Sequence, residues 1–268
     1  MRNTMRVILL TTSSLLLVSV LTASCISLNH HLKYTTPLKR TSAPVDAFVL
    51  VEVSQELVPG ECHTTNKSVD CKKLLKTLPS IKSGGSGSGM MVTSHLGPAI
   101  LTAAHVCEDE VPDSFKHKGV TISIIAIVKI RVTSPTKGTY SATVIKIDRD
   151  KDLCLLKPEK IFTHPVSIAT KEPKIGDKVY SIAAPYGISG PGMALIFNGF
   201  FSGVGDSPLS PREMRFYTIP TRPGSSGAAV LNENWEVIGV LHTAFRRLEN
   251  VGIGTGLEDV RSFLFSSE

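Results

Sequence analysis

The run Val120-Thr121-Ile122-Ser123-Ile124-Ile125-Ala126-Ile127-Val128-Lys129-Ile130-Arg131-Val132 leads into Ser134-Pro135-Thr136-Lys137-Gly138. Tyr140-Ser141-Ala142-Thr143-Val144-Ile145-Lys146-Ile147 follows, then Asp148-Arg149-Asp150-Lys151-Asp152, then Leu153-Cys154-Leu155-Leu156. Three β-branched, apolar-rich runs divided by one Pro/Gly turn and one charged turn read as strand, turn, strand, turn, strand. The same rhythm extends both ways. Short apolar runs recur at Ala47–Val53, Met90–Thr93, Ala99–Ala104, Val179–Ala183, Ala194–Phe201, Arg215–Ile219, Ala228–Leu231 and Val237–Leu241. Ser83–Gly89, Pro185–Gly192 and Gly203–Pro211 have turn composition and are expected to separate strands. Only Glu258–Phe265 reads as helical, with Val260, Phe263 and Leu264 on one face. The pattern is all-β, a sandwich or barrel, and not a succession of βαβ units.

Composition narrows the function classes. Twenty-one Gly and 16 Pro in 268 residues exclude a low-complexity or collagen-like chain. Twenty-nine basic against 23 acidic side chains leave a net charge of +6, too small and too dispersed for a dedicated nucleic-acid binder. No stretch approaches 18 consecutive apolar residues, which excludes a polytopic membrane protein.

The first 24 residues have a basic start (Arg2, Arg6), an apolar run from Val7 to Leu21 and small residues before Cys25, the three parts of a secretory signal. Leu21-Thr22-Ala23-Ser24-Cys25 also resembles a bacterial lipobox, with Thr22 where that pattern prefers Leu. The resemblance implies acylation of Cys25 and anchoring at a membrane surface. Residues 25–45 are polar and aperiodic and read as a tether, leaving 46–268 as the folded domain. Export implies an oxidising compartment, where Cys62 and Cys71, flanking a polar loop, are expected to pair. A zinc site at Cys62, His63 and Cys71 is disfavoured, since no fourth ligand is evident.

Three segments carry chemistry. Ala99-Ile100-Leu101-Thr102-Ala103-Ala104-His105-Val106-Cys107 is a strand running into a histidine, and Asp148 to Leu156 is a charged turn opening an apolar strand. Arg222-Pro223-Gly224-Ser225-Ser226-Gly227-Ala228-Ala229-Val230 sets a serine pair between glycines. A serine hydroxyl is a weak nucleophile near neutral pH and must pass its proton to a base as it attacks. An imidazole titrates in that range, and a carboxylate fixes its tautomer. Among the three aspartates, only Asp152 immediately precedes the apolar strand. The Gly-x-Ser-Gly frame selects Ser226 over Ser225.

In the order His105, Asp152, Ser226 on an all-β chain, these segments resemble the chymotrypsin-like serine peptidases, closest to the HtrA-type and glutamyl-endopeptidase branches. The likeness runs from about Val49 to Phe265. It includes Gly87-Ser88-Gly89 before the histidine strand, Ala184-Pro185-Tyr186-Gly187, the hairpin Asn232 to Val240, and Asn250 to Gly254 before the closing helix. The resemblance implies two six-stranded antiparallel β-barrels with a short C-terminal helix and an active site between the barrels. It implies an acyl-enzyme on Ser226, an oxyanion hole from the amides of Gly224 and Ser226, and no metal or organic cofactor. Protein or peptide would be the substrate, and nucleic acid is not expected as a partner.

The chain departs from the family pattern in four places. It has no Ile-Val-Gly-Gly start, and Ser225 replaces the aspartate before the nucleophile, so the zymogen switch based on that pair is not expected. No PDZ-like module is expected after Glu268. Ala228 and Ala229 follow Gly227 where other residues are usual. Leu241 stands where glutamyl endopeptidases carry a histidine that reads an acidic side chain, and His242 is one residue later. A one-residue shift along a strand turns a side chain to the other face, toward Asp152. Thr221, His242 and Thr243 are assigned to the substrate side of the site, with Thr221 matching a pocket-wall threonine. Pro220 argues against a pocket for basic side chains, so a small or apolar residue is expected before the cut. Cys107 and Cys154 each follow a triad position by two residues. Buried free thiols are the simpler reading, and a disulfide joining the two segments is the other. The alternative at the level of function is a binding protein that keeps the fold without turnover.

Overall fold

Antiparallel strands that alternate apolar and polar residues bury one face only by curling a sheet on itself or stacking it on another. This chain does so twice. The computed structural model describes residues 36–64, 69–107, 113–117, 119–207, 210–245 and 248–266. Expectations for the signal segment and Cys25 lie outside the described residues.

The first sheet is built from β1 (Phe48–His63), β2 (Ile81–Ser94), β3 (Gly97–Thr102), β4 (Ser114–His117), β5 (Val120–Ser134), β6 (Gly138–Asp148) and β7 (Leu153–Pro158). Its order is β1-β2-β3-β7-β6-β5-β4, and β1 pairs back onto β5 to close the ring. The second is a closed barrel of β8 (Lys178–Ala183), β9 (Leu195–Ser207), β10 (Ser210–Tyr217), β11 (Ala229–Leu231), β12 (Val237–Phe245) and β13 (Leu248–Gly256), in the order β10-β13-β12-β11-β8-β9. The all-β class, the two antiparallel barrels and the closing helix are thus as the sequence indicated.

Phe48, Met90, Met91, Ile100 and Leu155 fill the first core with no solvent exposure. Tyr217, Val179, Phe201 and Leu257 fill the second. Three α-helices are described, α1 (Cys71–Thr77), α2 (Ala104–Cys107) and α3 (Leu257–Phe265), with one 3-10 turn at Pro185–Gly187. The face of α3 formed by Val260, Phe263 and Leu264 is buried in the larger core cluster. From residue 40 the chain already lies on the domain: Arg40 bonds Asp46 and the carbonyl of His164, and Ala43 and Val45 pack on the core.

Two turn expectations are corrected. Ser83–Gly89 is strand, part of β2, and Gly203–Pro211 is largely taken up by β9 and β10. Glycine composition signals a turn only when no neighbour demands extension. Here β1 runs far beyond Val53 and pairs with β2 residue by residue from Phe48–Met90 to Leu57–Ile81. Pro59, which cannot donate to a ladder, falls at the irregularity between Pro59 and Cys62. Helices α1 and α2 were not expected. Helix α1 is capped by Asp70, whose side chain accepts from the Lys73 amide, and α2 is a single turn after β3.

Candidate active site

Helix α2 and the turn before β7 present two groups to each other. His105 Nδ1 lies 2.7 Å from Asp152 Oδ2, and the His105 amide donates to Asp152 Oδ1 at 2.9 Å. Asp152 has a left-handed backbone (φ 51°), a conformation Asp tolerates better than most residues, at the end of the turn closed by its own amide on the Arg149 carbonyl. Asp148 accepts from Lys151 at both oxygens instead, and Asp150 is exposed. Burial works to raise the Asp152 carboxyl, but the bonds from His105 and the neighbouring imidazole charge outweigh it and hold it below the usual carboxylate range. An ionised carboxylate only accepts, so His105 Nδ1 carries the hydrogen. The neutral ring then has its free lone pair at Nε2.

Sulfur chemistry holds the two segments together. Cys107 and Cys154 are joined, with Cα atoms 6.6 Å apart, and so are Cys62 and Cys71. The first pair decides against the simpler reading of free buried thiols, because β3 and β7 are neighbours, with Thr102 opposite Cys154. Among the described residues there is no cluster of three or more metal-ligating side chains.

Ser226 lies on a turn shaped by its glycines. Gly224 has φ 92°, and a Cβ there would stand 2.5 Å from the Ala184 carbonyl oxygen. Gly227 has φ 82°, and its Cβ would meet Thr102 Oγ1 and Ser88 O. No other residue fits either place. Two carbonyls of the turn are tied back: Pro223 O accepts from the Tyr186 amide at 2.6 Å, and Ser225 O from the Ala228 amide at 3.0 Å. A trans peptide points its N–H opposite its C=O, so the amides of Gly224 and Ser226 turn the other way. Neither has an acceptor among the described residues.

The Ser226 hydroxyl donates to the His242 carbonyl at 2.8 Å and not to the ring of His105. Both residues nevertheless line one cleft of about 210 Å³. Sequence reasoning passed over Ser88 as a site residue. It is fully buried, its amide donates to Ser226 O at 2.7 Å, and its hydroxyl donates to Gly224 O at 2.8 Å while accepting from the Ala184 amide. It thereby fixes the serine turn to the first barrel. The signal was its place between two glycines, which lets the backbones approach this closely.

His242 is a second imidazole on the same carboxylate. Its Nδ1 is 3.4 Å from Asp152 Oδ2, and its Nε2 is 2.8 Å from Thr255 Oγ1. Burial drives this ring down to about 4, against the pull of Asp152, so it is neutral at pH 7. Thr221 is buried, with its hydroxyl spent on the Ile219 carbonyl. The side chain of Thr243, on β12, lies outside the described residues.

A model of the trypsin-like peptidase domain matches residues 87–240, which include His105, Asp152 and Ser226. The chain belongs to the trypsin-like peptidase family. Membership supports a peptidase, a hydrolase acting on protein or peptide. The chain is 25% identical over 217 residues to Protease Do-like 1, chloroplastic, of Arabidopsis thaliana, covering 79% of this chain and 44% of that protein. It is 28% identical over 166 residues to a probable periplasmic serine endoprotease DegP-like of Chlamydia pneumoniae, covering 60% of this chain and 29% of the relative. The chain therefore spans less than half the length of either curated relative. In fold it is similar to the inactive form of a serine-to-alanine mutant of Rv3671c from M. tuberculosis, with TM-score 0.53, 15% identity, and 85% and 94% of the two chains covered.

Proposed function

We propose that this peptidase is an exported serine endopeptidase in which Ser226 is the nucleophile, His105 the general base and acid, and Asp152 the group that orients and charge-balances the imidazole. The observation that carries this reading is the two-point grip of Asp152 on His105, which leaves Nε2 free in the same cleft as Ser226. With substrate bound, rotation about the Ser226 Cα–Cβ bond takes the hydroxyl from the His242 carbonyl to Nε2. Catalytic hydrogen bonds are often unformed without substrate. Ser226 Oγ attacks the scissile carbonyl as its proton passes to Nε2. The oxyanion takes the amides of Gly224 and Ser226, which have no other acceptor among the described residues. His105 then hands the proton to the leaving amine. Water, deprotonated by the same ring, releases the acyl group from Ser226.

Two disulfides and the periplasmic setting in one relative's name support export, and the lipobox-like segment supports anchoring through Cys25. No helix among the described residues is long and apolar enough to cross a membrane. Thr221, with its hydroxyl bonded internally and set against Gly252, supports a small or apolar residue before the cut.

A fluorophosphonate probe tests the mechanism. It is expected to label the wild type and not Ser226→Ala, and equal labelling of both would remove Ser226 as nucleophile. Incorporation of palmitate that is lost in Cys25→Ser tests the anchor. Unlabelled protein free in the medium would refute it.

A further inference from the structure

The stretch before β1 is held to the domain well ahead of Asp46. The Arg40 side chain, 9% exposed, grips Asp46 and the carbonyl of His164, and the His164 ring donates from Nδ1 to the Thr36 carbonyl at 3.2 Å. Pro37 borders a cleft of about 390 Å³ together with Ile168, Arg261 and Phe265, beside the last turn of α3. The point at which the chain enters the folded domain is thereby fixed, and it lies at the end of α3. Ten residues separate Cys25 from Thr36, a span of at most about 40 Å when fully extended. A domain of this size is about 45 Å across. A bilayer that holds an acylated Cys25 is therefore met by the entry face with the tether slack. The far side reaches it only at or beyond the tether's full stretch.

The side chains on the entry face suit that neighbour. Leu38, Leu96 and Phe265 are 53%, 54% and 45% exposed. Leu38 follows Pro37 at the cleft. Leu96 follows His95, whose amide and ring both donate to the Leu264 carbonyl, at 2.9 and 2.8 Å, so the turn between β2 and β3 sits against the end of α3. One exposed leucine is ordinary, but three large apolar side chains gathered at one helix end are not. Cations stand among them. Lys39 is exposed next to Leu38, Arg261 is exposed one turn before Phe265, and Lys146 Nζ donates to the Ser266 carbonyl at 3.4 Å. The carboxylates of α3, Glu258 and Asp259, are in its first turn, and Asp259 is paired with Arg212. An apolar patch edged with cations matches the interface of an anionic bilayer, where the acyl boundary takes up the side chains and the headgroups meet the charges.

We infer that this face, centred on Leu38, Leu96 and Phe265, rests on an anionic lipid bilayer and sets the orientation of the anchored enzyme. The occupant follows from the reading of Cys25 as an acylated anchor. The test uses the exported chain carrying Cys25→Ser, which removes acylation from the measurement, and vesicles of phosphatidylcholine and phosphatidylglycerol at about 3:1. Co-sedimentation is expected, and each of Leu38→Ser, Leu96→Ser and Phe265→Ser is expected to weaken it by about five- to tenfold. Lys39→Glu is expected to weaken it by a similar factor at low salt and by less at high salt. Ile125 is as exposed, at 52%, but lies on β5 across from Val58, toward the other end of β1, and Ile125→Ser is expected to bind as the parent does. Fluorophosphonate labelling is expected to be unchanged in every variant, which reports an intact fold. A parent chain that stays in the supernatant, substitutions without effect, or an equal loss in Ile125→Ser overturns the surface. So does a dimer that forms without lipid and is broken by the same substitutions. Palmitate incorporation separates the two readings. A labelled Cys25 with no vesicle binding refutes the face alone, whereas an unlabelled Cys25 with vesicle binding refutes the anchor alone.

Discussion

Two imidazoles share Asp152 Oδ2, and they have opposite fates. The His105 side chain is 49% exposed and opens onto the cleft, with its second nitrogen unclaimed. The His242 side chain is 7% exposed, has both nitrogens near partners and lends its backbone carbonyl to Ser226. Residue type and carboxylate are the same for both, so burial decides the difference. The ring sealed in the barrel is held neutral and serves as a fixed dipole, whereas the ring at the cleft keeps one nitrogen open to it. Thr255 donates its one hydroxyl proton to the Lys151 carbonyl at 2.7 Å, so its oxygen accepts from His242 Nε2 at 2.8 Å. The His242 ring is thereby fixed against Asp152, with Nδ1 3.4 Å from Oδ2.

The contrast can be broken most directly by removing each ring. His105→Ala is expected to lower turnover by about 10⁶-fold, whereas His242→Ala loses a buried ring packed against Asp152 and falls by about 10- to 100-fold. His242→Asn, which keeps a donor, is expected to recover part of that loss, and equal losses at the two histidines in steady-state assays would end the distinction. The second test concerns how each is held. His105 is anchored through Cys107 to Cys154, across 47 residues, and replacing both cysteines by alanine is expected to cost about 4 kcal/mol in denaturant unfolding. The pair Cys62 and Cys71 closes a much shorter loop, and its loss is expected to cost less and to leave turnover closer to wild type. A turnover equally insensitive to both pairs would show that the staple does not align the His105 and Asp152 segments.

The third test is acid. The ordinary pKa of His242 is 6.5, and the native value is about 4, so the native state binds fewer protons than the unfolded chain between those values. The resulting stability is fully present above pH 6.5 and is lost as pH falls through 4, on the order of 3 kcal/mol in all. Calorimetric melting temperatures of the wild type should fall across that window, and those of His242→Asn should fall less. The depressed Asp152 carboxyl acts in the same direction but below its ordinary value of 3.8, so the two contributions separate along the pH axis. The smallest effect is expected of Thr255→Val, about 1 kcal/mol in stability with a modest loss of turnover. A Thr255→Val enzyme as slow as His242→Ala would mean that the hydroxyl, and not the ring, governs Asp152.

Strand rhythm from Val120 to Leu156 was readable because each run carries its own apolar alternation and its own turn. Segments 83–89 and 203–211 were misread for the opposite reason. Their glycines, serines and prolines have little intrinsic strand preference, and partner strands far away in sequence impose the extension. At the site, His105 and Asp152 were legible because each stands where a local element changes character, and the structure brings them together. Ser226 was legible from its glycine frame, but the present bond of its hydroxyl to the His242 carbonyl was not, because it depends on how β12 passes behind the turn. The partnership of Cys107 and Cys154 also stayed open, since spacing alone does not say which strands are neighbours. Ser88 and Thr255 had no local signal beyond their residue type.

By itself, then, the amino-acid order determined the β architecture and named three side chains as candidates for a nucleophile, a base and its orienting acid. Periodicity and residue chemistry are properties of short segments. Only the tertiary structure decided that one histidine lies at the solvent boundary while another is locked beneath it. It also decided which cysteines join and where the chain before β1 enters the folded domain. These depend on distances between segments far apart in the chain, and the closing of the two barrels sets those distances.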